Sequence, residues 1–390
     1  MSNKIHITKL QVSNFRNIEK ADYEFSDGKN AIAGKNAIGK TNVLEAISWV
    51  MVGKSIAGSS DDTANKPHSD LTKVVEVSVT ISNGTTEHTI TKRYTPLVAD
   101  GKVVSHTSDI MLDGNKFATQ KAAKSTLTDL LGIDGDKIGL YINPLRLSQI
   151  PYKDLRQYII SIIGDADEKD IYKENPVLKK LIGDDLVTFK NDIEAYSKYL
   201  NSESKKLKEE IKTKESIVLF LQNDKIATER RFKDTNIDKV LIDIETDIRF
   251  ANAKTNDKVN ELTSKQTALS LYINMRLEIL NAKAKQVFGQ VRWNFIEYNL
   301  KDMSYSEVCH PYIIGKDTKF DNGSTSEKVI TGIAIINALC DATATPHLPI
   351  LFDEGEALDS ESIANKIVSP SQIITAKVSD AFITPTVIQL

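Results

Sequence analysis

Only two cysteines, Cys309 and Cys340, occur among the 390 residues, far apart and in no C-x-x-C pair. Such sparse spacing excludes a disulfide scaffold and a cysteine-bound structural zinc, and it suits a reducing compartment. No stretch approaches the ~18 uninterrupted apolar residues of a membrane-spanning helix, and the opening MSNKIHITKLQVSNF lacks the continuous apolar core of a secretory leader. An excess of one charge is missing too. With 50 Lys plus Arg against 53 Asp plus Glu the net charge is -3, so binding to nucleic acid or to an anionic membrane would need a local patch or a divalent metal. The remaining composition, 41% apolar, fills real cores in two or three domains of about 100 to 200 residues each. The expectation is a soluble, cytoplasmic protein with no membrane partner.

Glycine and proline nearly vanish between residues 187 and 288, where Lys and Glu dominate. The apolar residues of this segment fall into two rows at three-and-four spacing: Ile193, Tyr196, Leu200, Leu207, Ile211, Val218 and Leu221, then Val259, Leu262, Leu269, Ile273, Leu280 and Val287. The pattern predicts two helices of an antiparallel coiled coil, whose arms of some 35 to 50 residues would project roughly 50 to 75 Å. A compact helical bundle is the other reading, because Gln266 and Arg276 interrupt the second row. Between the rows, QNDKIATERRFKDTNID loses the pattern and reads as the tip. Its cluster Lys225, Arg230, Arg231 and Lys233 is interleaved with acids, which fits a solvated face or a phosphate-binding patch.

The flanks alternate between strand and helix. IHITKLQVSNFRN carries Ile5, Ile7, Leu10 and Val12 in strand alternation, ADYEFSDGKNAIAG reads as a second strand, and TNVLEAISWVMVGK places Val43, Ile47 and Val50 on one helical face. A hairpin around Asn83 and Gly84 implies antiparallel sheet nearby, and Pro144 and Pro151 bracket a loop between two helical segments. Beyond residue 289 come two strand-like runs and a helix, EKVITGIAIINALCDA, in which Cys340 shares a core face with Val329, Ile333 and Ile336. The adjacent Cys309 and His310 cannot close a metal site by themselves and read as a buried structural pair. The predicted domains are 1–165, 166–288 and 289–390.

Two motifs carry chemistry. Gly34, Lys35, Asn36, Ala37, Ile38, Gly39, Lys40 and Thr41 match G-x-x-x-x-G-K-[ST], followed by Asn42 as a helix opens. The glycines let successive backbone N–H groups curl around phosphate oxygens, Lys40 neutralises the β and γ phosphates, and Thr41 offers its hydroxyl to Mg²⁺. Far downstream, LPILFDEGEALDS runs an apolar strand into Asp353 and Glu354. In a P-loop ATPase the first acid at such a strand end holds Mg²⁺ through water, and the second polarises the water that attacks the γ-phosphate.

Two such motifs at opposite chain ends, with a coiled coil between them, resemble the SMC, RecF, RecN and SbcC group of DNA-associated ABC-type ATPases over nearly the whole chain. The resemblance implies an α/β fold: a P-loop ABC-type ATPase head assembled from both chain ends, with an inserted antiparallel coiled-coil arm. It implies ATP and Mg²⁺ as cofactors, ATP hydrolysis, head-to-head homodimerisation and action on DNA. In NFRN, Arg16 takes the place of the family's nucleotide-proximal arginine, and Gln149 that of the Q-loop glutamine that senses Mg²⁺ and the attacking water. NGSTSEKVITGIAIINAL resembles the signature segment, with Ser324 as the serine that meets the opposite subunit's γ-phosphate and Thr325 and Ser326 where glycines are usual. ALDS (Ala357 to Ser360) resembles the D-loop. No C-x-x-C marks the arm tip, so a zinc hook is not expected, and SQIITAKVSD has no switch histidine, which leaves two readings: Thr375 or Lys377 takes its place, or hydrolysis is slow. INPLRLSQIPYKDLRQYIISIIGD, VRWNFIEYNL and NGSTSEK with the final LPILFDEGEALDS look like the ATP-binding proteins of phage recombination and replication clusters in Gram-positive bacteria. That narrower likeness implies a bacterial host cytoplasm and a separate nuclease or recombination partner. A nucleotide switch that gates the effector of a defence or counter-defence complex stays open beside it.

Overall fold

The computed structural model describes residues 4–56, 70–183, 185–223, 237–299, 304–353, 355–358 and 365–390. In chain order it holds β1 (His6–Phe15), β2 (Ile18–Glu24), β3 (Lys29–Gly34), α1 (Lys40–Met51), β4 (Val75–Ser82), β5 (Glu87–Ala99), β6 (Lys102–Leu112) and β7 (Asn115–Lys116). There follow α2 (Gln120–Leu131), α3 (Ile138–Ile142), α4 (Tyr152–Ile163), α5 (Glu168–Glu174), α6 (Pro176–Ile182), α7 (Leu186–Asn223) and α8 (Ile237–Phe288). The chain closes with β8 (Trp293–Asn299), β9 (Ser304–Pro311), α9 (Thr325–Thr343), β10 (Ile350–Phe352), β11 (Ile373–Val378) and β12 (Thr386–Gln389). Two compact units result, one from residues 1–165, 281–297 and 305–390, the other from 166–280 with 298–304. Among the described residues no helix is long and apolar enough to cross a membrane.

The first unit contains two sheets. One is antiparallel throughout, in the order β2-β1-β4-β5-β6-β7. Its alternation follows from the sequence: Val75, Val77, Val79 and Ile81 of β4 point into the core, while Ser78 and Thr80 on the other face meet Thr91 and Thr89 of β5 at 2.8 and 3.0 Å. The other sheet has the order β10-β11-β3-β12, with β10, β11 and β3 parallel and β12 antiparallel at the edge. Its inner strand β3 comes from the N-terminal part of the chain and the other three strands of the sheet from the C-terminal part. The head is therefore assembled from both chain ends.

Buried amides join these sheets. Gln372, fully buried, accepts the Ile7 N–H at 2.8 Å and donates to the carbonyls of Ile7 at 2.8 Å and Ser26 at 2.7 Å, so a side chain from beside β11 completes the backbone bonding of β1. Asn30, also fully buried, accepts the Ser26 N–H at 2.9 Å and donates to the Ser26 and Gly28 carbonyls. That clasp explains a departure from the sequence reading: ADYEFSDGKNAIAG is two strands in different sheets, because Asn30 bonds the intervening residues into a turn.

On the C-terminal side, α9 passes so close to the loop after α3 that a Cβ on Gly332 would lie 2.2 Å from the Pro144 carbonyl oxygen. Arg156 of α4, buried, donates to the carbonyls of Phe295 in β8 at 3.0 Å and Val308 in β9 at 3.1 Å. Cys309 and Cys340 are both buried, and burial pushes each thiol up to about 12.

In the second unit α7 and α8 run antiparallel over 38 and 52 residues. Tyr196 donates to Glu261 at 3.3 Å, and Lys214 to Asp247 at 3.1 Å, a pairing whose partner numbers fall as the first rise. The arm reading thus replaces the compact bundle. Val259, assigned to the apolar row by spacing, is 45% exposed. Within the same unit Tyr172 packs on Tyr272, whose hydroxyl donates to Glu168 at 3.1 Å. The tip cluster Lys225, Arg230, Arg231 and Lys233 lies outside the described residues.

Candidate functional site

The glycine loop joins the end of β3 to the start of α1. Its backbone needs unusual conformations, with φ of 63° at Ala37 and 105° at Gly39, the left-handed region that turns consecutive N–H groups toward one point. Lys35, Asn36 and Ala37 are exposed and Ile38 and Gly39 half-buried, whereas Lys40 is 8% exposed. The Lys40 ammonium donates to the Gly34 carbonyl at 3.0 Å and the Lys35 carbonyl at 2.8 Å, which holds the cation inside the loop.

Thr41 and Asp353 meet here. The Thr41 hydroxyl donates to the Asp353 carboxylate at 2.8 Å across 312 positions of sequence, because β10 lies parallel to β11 and β11 parallel to β3, which brings the strand ends together. A hydroxyl and a carboxylate are hard oxygen donors, the set that suits Mg²⁺ completed by water and substrate phosphates. Glu354 lies outside the described residues, as do Asp359 and Ser360 of the D-loop segment. Its successor is informative: a Cβ on Gly355 would lie 2.2 Å from the Ala376 carbonyl oxygen, so glycine lets the chain press against β11 one residue beyond Glu354. Thr375, buried, lies under the same glycine, and Lys377 is half-buried.

Arg16 has a φ of 52° and reaches α1, donating to Asn42 at 3.3 Å with its other terminal nitrogen 3.9 Å from Glu45. Two participants went unnamed in the sequence reading. Asn17 accepts from Asn42 at 2.6 Å, and its amide lies 2.9 Å from where a Cβ on Gly39 would stand, so it covers the loop directly. Glu45, 5% exposed, accepts the Ile56 N–H at 3.0 Å; burial raises its carboxyl above the ordinary value, opposed by that N–H and by Arg16. Both were within reach of spacing, since Asn17 follows Arg16 and Glu45 stands one helical turn after Thr41.

Gln149 is exposed at the end of a short 3₁₀ turn and accepts from Arg146 at 2.5 Å. Ser324 stands at the N-terminus of α9, where its N–H and its hydroxyl each donate to the Glu327 carboxylate at 2.8 Å. Lys316 pairs with the same carboxylate, and with these donors it is held down to about 2. The described contacts of Gln149 and Ser324 are thus local to their own segments.

A glycine loop between strand and helix, faced by an aspartate from a parallel strand of the same sheet, defines a P-loop nucleotide-binding head. The chain belongs to the RecF/RecN/SMC N terminal domain family, whose pattern matches residues 6–380. It is 46% identical over 55 residues to the DNA replication and repair protein RecF of Carboxydothermus hydrogenoformans, a match covering 14% of this chain and 16% of that protein. The match to RecF of Lactobacillus acidophilus is 46% over 57 residues, 15% of each chain. The aligned segment therefore spans under a fifth of these relatives. Among solved structures it is similar to the Smc head domain with an extended coiled coil bound to the C-terminal domain of ScpA from Pyrococcus furiosus, at 18% identity and a TM-score of 0.45 over 99% of this chain and 96% of that one. It is similar also to the recombination mediator protein RecF-ATP in the RecFOR pathway, at 16% identity and a TM-score of 0.43 over 97% and 94%.

Proposed function

We propose that this chain binds and hydrolyses ATP at the Lys40–Thr41–Asp353 site and couples that cycle to work on DNA in recombination, replication or repair, in a phage setting within a bacterial host. The observation that carries the reading is the 2.8 Å bond from Thr41 to Asp353, which unites the phosphate loop with the strand-end acid. The loop N–H groups and the N-terminus of α1 cradle the phosphates, and Lys40 exchanges its loop carbonyls for phosphate oxygens. Thr41 and Asp353 would hold Mg²⁺, which when bound neutralises charge on the phosphates. Glu354 takes the proton of the attacking water. Gln149 would join them at the metal and the attacking water, and Arg16 would stand beside the nucleotide.

A single head leaves the γ-phosphate open to solvent on the side away from Lys40. The reading places Ser324 and the N-terminus of α9 from a second copy over that side, a twofold contact held by ATP. Glu354→Gln separates these steps: the variant should bind ATP, hydrolyse it little and accumulate as an ATP-dependent dimer in solution. Full turnover by Glu354→Gln, or a monomeric mass with ATP, would overturn the mechanism. Mixing Lys40→Ala with Ser324→Arg chains should restore activity in the mixed dimer, where one site carries both lesions and the other none. DNA addition to the wild type should raise turnover.

A further inference from the structure

At the end of α1 opposite the phosphate loop lies a cavity of about 350 Å³. Its walls are Val50 and Met51 of α1, Leu127 of α2, Ile138 of α3 and, at depth, Lys92 of β5. The alternation of β5 puts Lys92 in a core row between Ile90 and Tyr94, which are 0% and 2% exposed, and Lys92 itself is 8% exposed. Its ammonium donates to the Trp49 carbonyl at 3.2 Å and stands 4.5 Å from the centre of the Trp49 ring. An ammonium has three donors, so this leaves capacity for more. Among the described residues no acidic side chain lies within ion-pair distance of it. The other charges at the cavity, Lys124 and Asp136, pair with each other at 2.6 Å, with side chains 48% and 80% exposed.

We propose that this cavity is a second ligand site, taking a carboxylate carried on a short apolar body, with Lys92 as its counter-ion. An ammonium taken out of water without an opposite charge is costly, and a carboxylate beside Lys92 removes that cost. The volume falls in the range of small-molecule sites, and the walls suit an aliphatic body. A single charge fits better than two: Lys124 is engaged with Asp136, and the C-terminal carbonyls of α1 together with the Asp136 carboxylate disfavour each added negative charge, so the one charge that Lys92 can balance is the limit. The low proton affinity of Lys92, brought down to about 8 by burial, agrees with a cation that has no acidic partner among the described residues.

Hexanoate serves as the probe, with hexanamide as its uncharged match and inorganic phosphate as an anion without an apolar body. In the full-length protein with isotope-labelled lysine, the NMR titration of Lys92, assigned with Lys92→Arg, is followed with each. Hexanoate should raise the Lys92 midpoint by about one pH unit, the effect of an adjacent opposite charge. Hexanamide and phosphate should leave it in place. Thermal stabilisation by hexanoate should disappear in Lys92→Met. An unmoved midpoint at saturating hexanoate, an equal shift with phosphate, or equal stabilisation of Lys92→Met would each overturn the proposal. The wild-type titration decides the matter even if Lys92→Met fails to fold.

Discussion

Replacing Gln372 by Met tests how the two chain ends are joined. The side chain keeps its length and apolar stem but loses both the acceptor and the donor that clasp β1. Ile7 N–H, bonded at 2.8 Å, and Ile7 carbonyl, bonded at 2.8 Å, would be stranded in the core, whereas Ser26 carbonyl keeps its bond from Asn30 at 2.9 Å. A buried polar group left unpaired costs about 1–3 kcal/mol, so two of them cost about 2–6 kcal/mol. Against a typical stability of about 5–15 kcal/mol this is a large loss. Urea denaturation should move to a lower midpoint with an unchanged slope, because the same surface is exposed on unfolding. A loss below about 1 kcal/mol would mean that Gln372 does not satisfy β1 and that the junction of the sheets is held by apolar packing alone.

Stability should also rise with pH between about 8 and 10.5, because Lys92 is charged in the unfolded chain across that window and neutral in the folded one. The rise attributable to Lys92 is about 3 kcal/mol, and Lys92→Met should remove it; wild-type and variant profiles of equal slope in denaturation across that range would contradict the burial argument. Gly332→Ala should destabilise by about 1–3 kcal/mol, since its Cβ would lie 2.2 Å from the Pro144 carbonyl oxygen. At an ordinary helical position that substitution stabilises by up to ~1 kcal/mol, so the sign of the change in thermal unfolding decides.

Local pattern made much of this protein readable. The alternation of Val75, Val77, Val79 and Ile81 needs no distant partner to declare a strand with one buried face, and the arm rows declare their helices in the same way. The loop from Gly34 to Thr41 is legible because phosphate binding requires those residue types consecutively. The resemblance that implied a head with an inserted arm rests on two motifs near opposite ends of the chain, with the helical rows between them in sequence.

Tertiary structure decided what depends on residues remote in sequence. A buried Gln372 or Asn30 looks like any surface amide until the backbone it satisfies is beside it. The split of ADYEFSDGKNAIAG into β2 and β3, and β12 as the edge partner of β3, rest on such contacts. Glu45 looks like an exposed helical acid by type, yet its burial against Ile56 and Arg16 places it in the site. Lys92 follows the strand alternation into the core, where its chemistry, unlike its position, is set by what the cavity holds. Thr41 and Asp353 could each be named from sequence, but their 2.8 Å contact exists only because three parallel strands from both chain ends stack in one register.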